Sequence, residues 1–468
     1  MNTSTMDLRG KRATIVGLGI EGVALARYLV AQGAQVTVSD SKSEATLEEN
    51  LHLIAGLPVQ LSLGQNRIED TTEADIVFVS QGVPLGIPAL AAAKARGIPF
   101  SSATKLFMER CRAPIVGITG SAGKSTTTAL IGEIFRAAGR DVIVGGNIGV
   151  VLLDRLDEIT AKHWVVLEIS HTQLELTDRS PRIALVTNIS PSHADRYPFE
   201  QYVALKERIF AFQQDWDTLV LNWDDPMTLA MASKANGNVA FFSYDSKSDE
   251  NGTFLHNGSL WLRWDESETP IMPVKDIKLL GAHNIANALA ASAVAAAAGI
   301  SVASMRQAIS EFRGVPHRLE WVRLLAGVDY YNDSIATTPV RVIAGLRSFD
   351  RPIVLMAGGR EKSLPLEEWV DEVNRRCVGV VCFGEAGMML QNALAPTWGG
   401  RSPVVYAPTL EEAVPLTQSL AKPGDIVLLS PACTSFDQYP NFEVRGEHFR
   451  ELVGKLAEDS TSTKERPS

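Results

Sequence analysis

The chain has 468 residues, enough for about three domains of ordinary size. Apolar residues make up 45% and charged residues 21%, the balance of a globular protein with several cores, which excludes wholesale disorder. A formal charge of -10 argues against nucleic-acid binding through bulk basic charge, yet it leaves local phosphate cradles open.

Strand and helix signals alternate from the start. A strand at 13–17, a helical run at 22–31 and a strand at 35–40 form a βαβ unit, which requires parallel pairing. A buried strand at 76–80 completes a compact nucleotide-binding-type domain. The pattern restarts after Ala113-Pro114 with an apolar strand at 115–118. Further strands are expected at 142–144, 164–167, 183–186, 218–221 and 239–242, then a polar meander or hairpin within 250–280 and an Ala-rich helix at 286–298. A third block begins near Gly314, with strands at 328–331, 353–356, 379–383 and 426–429 between helices. The expected fold is therefore α/β in three consecutive domains. These are a Rossmann-like domain at 1–108, a P-loop ATPase-like domain at 109–313 and a Rossmann-like domain at 314–456, before a polar, disordered tail at 457–468.

Cys111, Cys377, Cys382 and Cys433 have no CxxC or Cys/His spacing, so reduced thiols and no zinc site are expected. No apolar run marks a signal peptide in residues 1–11, and the stretch 288–300 falls short of the ~20 residues a membrane span needs. A cytoplasmic protein with no membrane insertion is the expectation.

Two glycine clusters carry chemistry. In Gly17-x-Gly19-x-x-Gly22 a strand turns into a helix, and Asp40 ends the next strand where a ribose-binding acid stands in dinucleotide folds. A nicotinamide site and a mere tight turn both remain open for it; the shared physics is a helix N-terminus with bare amides that can hold a diphosphate. The second cluster, Thr119-Gly120-Ser121-Ala122-Gly123-Lys124-Ser125, lies between a strand and a helix expected from 126. Its glycines let N–H groups point at phosphate oxygens, Lys124 supplies a point charge, and the Ser125 hydroxyl can ligate Mg²⁺. The usual first glycine is displaced, since position 118 is Ile118.

Glu168 and His193 follow the strands at 164–167 and 183–186, on the edge where open α/β sheets bind ligands. Near a nucleotide phosphate they are natural Mg²⁺ ligands, although singly Glu168 reads as a helix-capping acid and His193 as a loop histidine. Lys206, on a helical run at 201–212, reads alone as a solvated face residue and draws interest only beside that cluster.

Together these motifs resemble one family, the ATP-dependent Mur ligases of peptidoglycan synthesis, in its glutamate-adding branch. The resemblance runs from about Gly17 to Leu452. It also rests on Gly145-Gly146-Asn147-Ile148-Gly149, Glu168-Ile169-Ser170, the stretch 188–197, His283-Asn284-x-x-Asn287, Pro316-His317-Arg318, Asn332-Asp333-Ser334, Ser430-Pro431-Ala432-Cys433-x-Ser435 and Asn441-Phe442-Glu443-x-Arg445-Gly446. It implies an acyl-phosphate route to an amide, with UDP-N-acetylmuramoyl-L-alanine and glutamate as substrates and ATP with two Mg²⁺ sites. Lys124, His193 and Lys206 would be catalytic. Gly120, Gly123, Lys124, Ser125, Thr126, Asn287, Arg318 and Asp333 would hold ATP. Ser125, Glu168 and His193 would bind metal, joined by Lys206 as a carbamate. Gly17, Leu18, Gly19, Asp40, Gln81 and Gly82 would hold UDP, which replaces the nicotinamide reading; Asn147 and Ser170 would line the muramoyl-alanine site. Lys362, Ser435 and Phe442 would grip glutamate with a cation, a hydroxyl and an aromatic wall. The family pattern has a Lys after Asn-Asp-Ser, where this chain has Ile335. D-glutamate is the expected substrate, with L-glutamate as the alternative that the lost cation suggests. A monomer is expected.

Overall fold

The computed structural model describes residues 6–147, 151–191, 197–245, 249–279, 282–361 and 364–457. His193, Lys362 and, apart from Ala457, the expected tail lie outside the described residues. The chain forms two compact units, Met1–Phe312 and Arg313–Ser468.

The first unit holds two sheets. Strands β1 (Arg12–Val16), β2 (Gln35–Asp40), β3 (Val59–Leu63), β4 (Ile76–Val79) and β5 (Phe100–Ser101) form a sheet of order β3-β2-β1-β4-β5. Every pairing in it is parallel. Order reverses beside β1, so a crevice opens at the carboxyl ends of β1 and β4.

The second sheet comprises β6 (Ile115–Thr119), β7 (Val142–Gly146), β8 (Trp164–Glu168), β9 (Ile183–Val186), β10 (Thr218–Asn222), β11 (Asn238–Ser243), β12 (Gly252–His256), β13 (Ser259–Trp264) and β14 (Ser267–Pro273). Its order is β14-β13-β12-β11-β10-β9-β6-β8-β7, parallel up to β12 and antiparallel across β12, β13 and β14. The expected meander at 250–280 is this antiparallel extension. β6 lies between β9 and β8, away from either edge, and its residues Val116 and Ile118 are wholly buried.

The helix Lys124–Ala137 leaves β6 and packs Ile131, Ile134 and Phe135 into a core shared with the Ala-rich helix Ala282–Ala297. Each fully buried side chain of this size is worth roughly 1.5–3 kcal/mol, so the helix is anchored by its apolar face and its N-terminus is a fixed platform. That helix begins at Lys124 rather than 126, because the lysine already has helical geometry after Gly123 turns the chain at φ 81°.

The second unit carries β15 (Glu320–Leu325), β16 (Val328–Asn332), β17 (Ile353–Gly358), β18 (Cys377–Phe383), β19 (Val404–Ala407) and β20 (Ile426–Ala432). Their order is β15-β16-β20-β17-β18-β19, with only the β15 pairing antiparallel. Apolar clusters cover both faces of the central strands. The strands that sequence reading omits, β3, β5, β15 and β19, all lie at sheet edges. An edge strand needs no continuous apolar run, and β3 and β15 are largely half-exposed or exposed.

Candidate active site

The loop between β6 and the helix Lys124–Ala137 is held from several sides. Gly120 has φ 141°, and a Cβ there would stand 2.0 Å from the Thr187 hydroxyl. A Cβ on Gly123 would stand 2.5 Å from Asn287 Oδ1. Only glycine fits both places, for reasons of backbone sign and of space. Asn188 clamps the loop: its Oδ1 accepts from Ala122 N at 2.9 Å and its Nδ2 donates to Ala122 O at 3.0 Å. Asn287 accepts from Thr127 Oγ1 at 3.1 Å and donates to Asn284 at 2.9 Å, so it braces the cradle from the Ala-rich helix. Ser125 is buried and Thr126 half-buried in the first turn. The cradle faces the N-terminus of a helix of 14 residues, whose bare amides and dipole favour phosphate.

Two ammonium groups meet on one carbonyl. Lys124 Nζ donates to Gly120 O at 2.9 Å and to Ser121 O at 3.0 Å. Lys206 Nζ donates to the same Gly120 O at 2.9 Å and to Thr119 Oγ1 at 3.0 Å. Lys206 is 1% exposed, which corrects the solvated-face reading. Its helix, Phe199–Glu207, turns Tyr202, Leu205 and Lys206 inward, a placement that helical periodicity alone does not fix. Burial, reinforced by Lys124, pushes the Lys206 amine down to about 7, while Glu168 pulls the other way.

Glu168 ends β8 and is 2% exposed. Its Oε1 accepts from Asn147 Nδ2 at 3.0 Å, whereas the buried Oε2 has no hydrogen-bond partner among the described residues. A buried carboxylate oxygen without a partner is costly unless a cation completes it. Such an oxygen fits Mg²⁺, a hard ion that takes carboxylate ligands. The helix-capping role belongs instead to Ser170, which forms a reciprocal capping box with Gln173. Among the described residues no three His, Cys, Asp or Glu side chains form a metal cluster.

The N-terminal domain meets this region through polar side chains. Gly17 has φ 96° and its carbonyl accepts from Ser80 Oγ at 2.5 Å. Asp40 is buried, and its carboxylate accepts from Leu18 N at 2.7 Å and Lys42 N at 2.8 Å, so it shapes the Gly17–Leu18–Gly19 turn. Gln81, beside Gly82 after β4, donates to Asn147 Oδ1 at 3.1 Å and to Ser170 Oγ at 3.0 Å. Asn147 thus bridges Gln81 and Glu168. Gln81, Gly82, Glu21 and Gln173 border a cavity of about 260 Å³ at this seam.

In the second unit Asp333 is 4% exposed; its Oδ2 accepts from Ser430 Oγ at 2.8 Å and its Oδ1 from Leu319 N at 3.2 Å. Burial lifts its carboxyl to about 7 against those two hydrogen bonds and Arg318. Arg318 is exposed, Ser435 buried and Phe442 half-buried. Ser334 Oγ donates to Phe442 O at 2.8 Å, which ties the loop after β16 to the helix Phe442–Lys455. Sequence reading gives Thr119, Asn188 and Arg445 no role. Thr119 and Asn188 carry the signal of lying at strand carboxyl ends; Arg445 has only its place in a motif.

Residues 118–295 match the Mur ligase middle domain, 11–102 the MurD-like N-terminal domain of Mur ligases, and 317–433 the Mur ligase glutamate ligase domain. The chain belongs to the Mur ligase family. It is similar to a UDP-N-acetylmuramoylalanine–D-glutamate ligase of Symbiobacterium thermophilum, 43% identical over 96% of this chain and 98% of that protein. A ligase of the same name from Koribacter versatilis is 41% identical over 97% and 99%. Among solved structures, the UDP-N-acetylmuramate-alanine ligase MurC of Thermotoga maritima shares the fold, with a TM-score of 0.53 at 19% identity over 95% of this chain and 99% of that one. No helix among the described residues is long and apolar enough to cross a membrane.

Proposed function

We propose that this protein joins D-glutamate to UDP-N-acetylmuramoyl-L-alanine at the expense of ATP, a step of peptidoglycan precursor synthesis. The observation that carries it is the phosphate cradle at 120–125 set against Glu168, whose buried Oε2 suits a cation, in a chain similar along its length to ligases named for this reaction. The substrate carboxylate attacks the γ-phosphorus, ADP leaves, and an acyl phosphate forms. The glutamate amine then attacks the acyl carbon, the tetrahedral adduct expels phosphate, and the nitrogen gives up its proton.

Two anions must approach each other in the first step. Lys124 and the cradle amides offset that repulsion, most strongly where water is excluded. Mg²⁺ would supply further charge neutralisation, held by Ser125 and Glu168 at one site and by His193 at a second. Lys206 has a partly neutral amine near pH 7, and such an amine adds carbon dioxide with loss of a proton to give a carbamate. The carbamate would convert a cation into an anionic ligand of the second site. Gly17, Leu18, Gly19, Asp40, Gln81 and Gly82 serve UDP, and Asn147 and Ser170 the muramoyl-alanine end. Asn287, Arg318 and Asp333 serve the nucleotide. The amino acid belongs to Lys362, Ser435 and Phe442. The domain at 1–108 takes UDP, that at 109–313 takes ATP and the muramoyl-alanine end, and that at 314–456 takes the amino acid, with its Arg318 and Asp333 also serving the nucleotide. On this reading the protein works as a monomer in the cytoplasm.

One feature favours a second reading. Ile335 stands where the family pattern has a lysine, and Arg341, on the helix Pro339–Leu346, brings a cation to the same loop by donating to Ile335 O at 3.1 Å. A moved cation changes how a dicarboxylate is oriented, so L-glutamate is the competing substrate. Phosphate release is the assay, with ATP, Mg²⁺, UDP-N-acetylmuramoyl-L-alanine and either enantiomer. Release that needs the UDP-sugar and D-glutamate together is expected. Turnover with the L enantiomer alone would transfer the assignment to it, and no release with either would end the ligase proposal.

A further inference from the structure

Arg445, in the first turns of the helix Phe442–Lys455, is 1% exposed and among the largest wholly buried side chains. Its Nε donates to Ser334 Oγ at 3.0 Å, and its Nη2 to Ser334 O at 2.9 Å and Cys433 O at 3.3 Å. Its Nη1 donates to Thr434 O at 3.0 Å and Cys433 O at 3.2 Å, with Gly358 O at 3.5 Å. Every acceptor is neutral, and no carboxylate forms a salt bridge with the guanidinium among the described residues.

Those acceptors belong to the carboxyl ends of β16, β20 and β17, neighbours in the sheet. Gly359 leaves the space: a Cβ there would stand 2.9 Å from Arg445 Nη1. Burial lowers the guanidinium only to about 10, with Asp437 pulling the other way through space, so it stays charged at neutral pH. A buried cation without a directly bonded counter-ion is an expensive way to tie three loops, since neutral groups can also bond carbonyls. Its charge has a use if the loops receive an anion, and open α/β sheets receive ligands at this edge.

We propose that Arg445 is a positioning residue for the acidic amino acid: it gathers the loops after β16, β17 and β20 and places a fixed positive charge behind them. This rests on the reading that the second unit takes glutamate. The planar fork reaches all three strand ends at once, and Ser334 passes the constraint on to Phe442 through its bond to Phe442 O. A lysine has the charge but not the span.

Steady-state kinetics of the full chain test it, with Arg445→Lys and Ser334→Ala checked by circular dichroism. For R445K the KM for glutamate should rise about tenfold or more, while the KM values for ATP and the UDP-sugar stay within about twofold. S334A keeps the guanidinium but loses both bonds of the Ser334 hydroxyl, the one accepted from Arg445 Nε and the one donated to Phe442 O, so its glutamate KM should rise about three- to tenfold. A folded R445K with unchanged glutamate KM would overturn the proposal, as would an equal rise for all three substrates, the mark of a general packing role. If R445K does not fold, S334A decides: an unchanged glutamate KM overturns the proposal, and a selective rise supports it. Wild-type protein that releases no phosphate would instead defeat the ligase reading itself.

Discussion

Lys206 in the first unit and Arg445 in the second are both 1% exposed cations whose hydrogen bonds go to neutral oxygens. Burial acts on both in the same sense, yet the amine falls to about 7 and the guanidinium only to about 10. An ammonium sheds its charge by losing one proton and becomes a nucleophile. A guanidinium starts too high and keeps its charge. Equal burial therefore gives a group ready for covalent change near the phosphate cradle and a permanent charge under the loops of the second unit.

Lys124→Ala should cost turnover on the order of a hundredfold or more, since the proposed mechanism loses the charge it aims at the transferring phosphoryl group. A variant rate near that of wild type in the phosphate-release assay would remove the cradle from the chemistry. Lys206→Ala should also lose most activity, with partial recovery on adding short carboxylates such as formate or acetate. Lys206→Arg should stay inactive with those additives, because its charge is retained and no carbamate can form. An active K206R would show that Lys206 serves as a cation, as Arg445 does.

Stability should respond with a definite sign. The unfolded chain binds more protons at Lys206 than the folded chain between about pH 7 and the ordinary lysine value of 10.5. The penalty is therefore complete below pH 7 and fades as pH rises towards 10.5. In carbon dioxide-depleted buffer, Lys206→Met should gain on the order of a few kcal/mol at pH 6.5 and progressively less towards pH 10.5. Urea unfolding across that range measures it, and a gain that does not vary with pH would mean that the amine is not perturbed.

Asp333 supplies the opposite case and the smallest effect. Its carboxyl is raised from 3.8 to about 7, so the folded chain binds the extra proton, and stability falls as pH rises through that window. An amide at this position imitates the protonated acid and can still meet Ser430 and Leu319. Asp333→Asn should therefore stabilise by about 1–3 kcal/mol at pH 7.5, with the gain vanishing near pH 4. A constant difference from pH 4 to 7.5 would exclude the raised carboxyl.

The central strands were readable because burial on both faces demands long apolar runs, as in β6 and β17. Edge strands were not, since β3 has only five residues and no continuous apolar run, and β5 has only two residues. Within the site, Lys124 and Ser125 announced themselves by spacing, because a loop that wraps phosphate needs glycines at set positions. Lys206 looked like a surface residue, because the direction of a helix face is set by what packs on it.

The alternation of strands and helices, the glycine-rich loop at 119–125 and the family resemblance are legible along the chain, because they follow from local backbone freedom and periodic burial. It took the folded chain to show that two lysines share the Gly120 carbonyl, that one oxygen of Glu168 has no partner among the described residues, and that Arg445 joins three strand ends. Charge, burial and partner count belong to side chains brought together from distant positions, and no spacing along the chain specifies them.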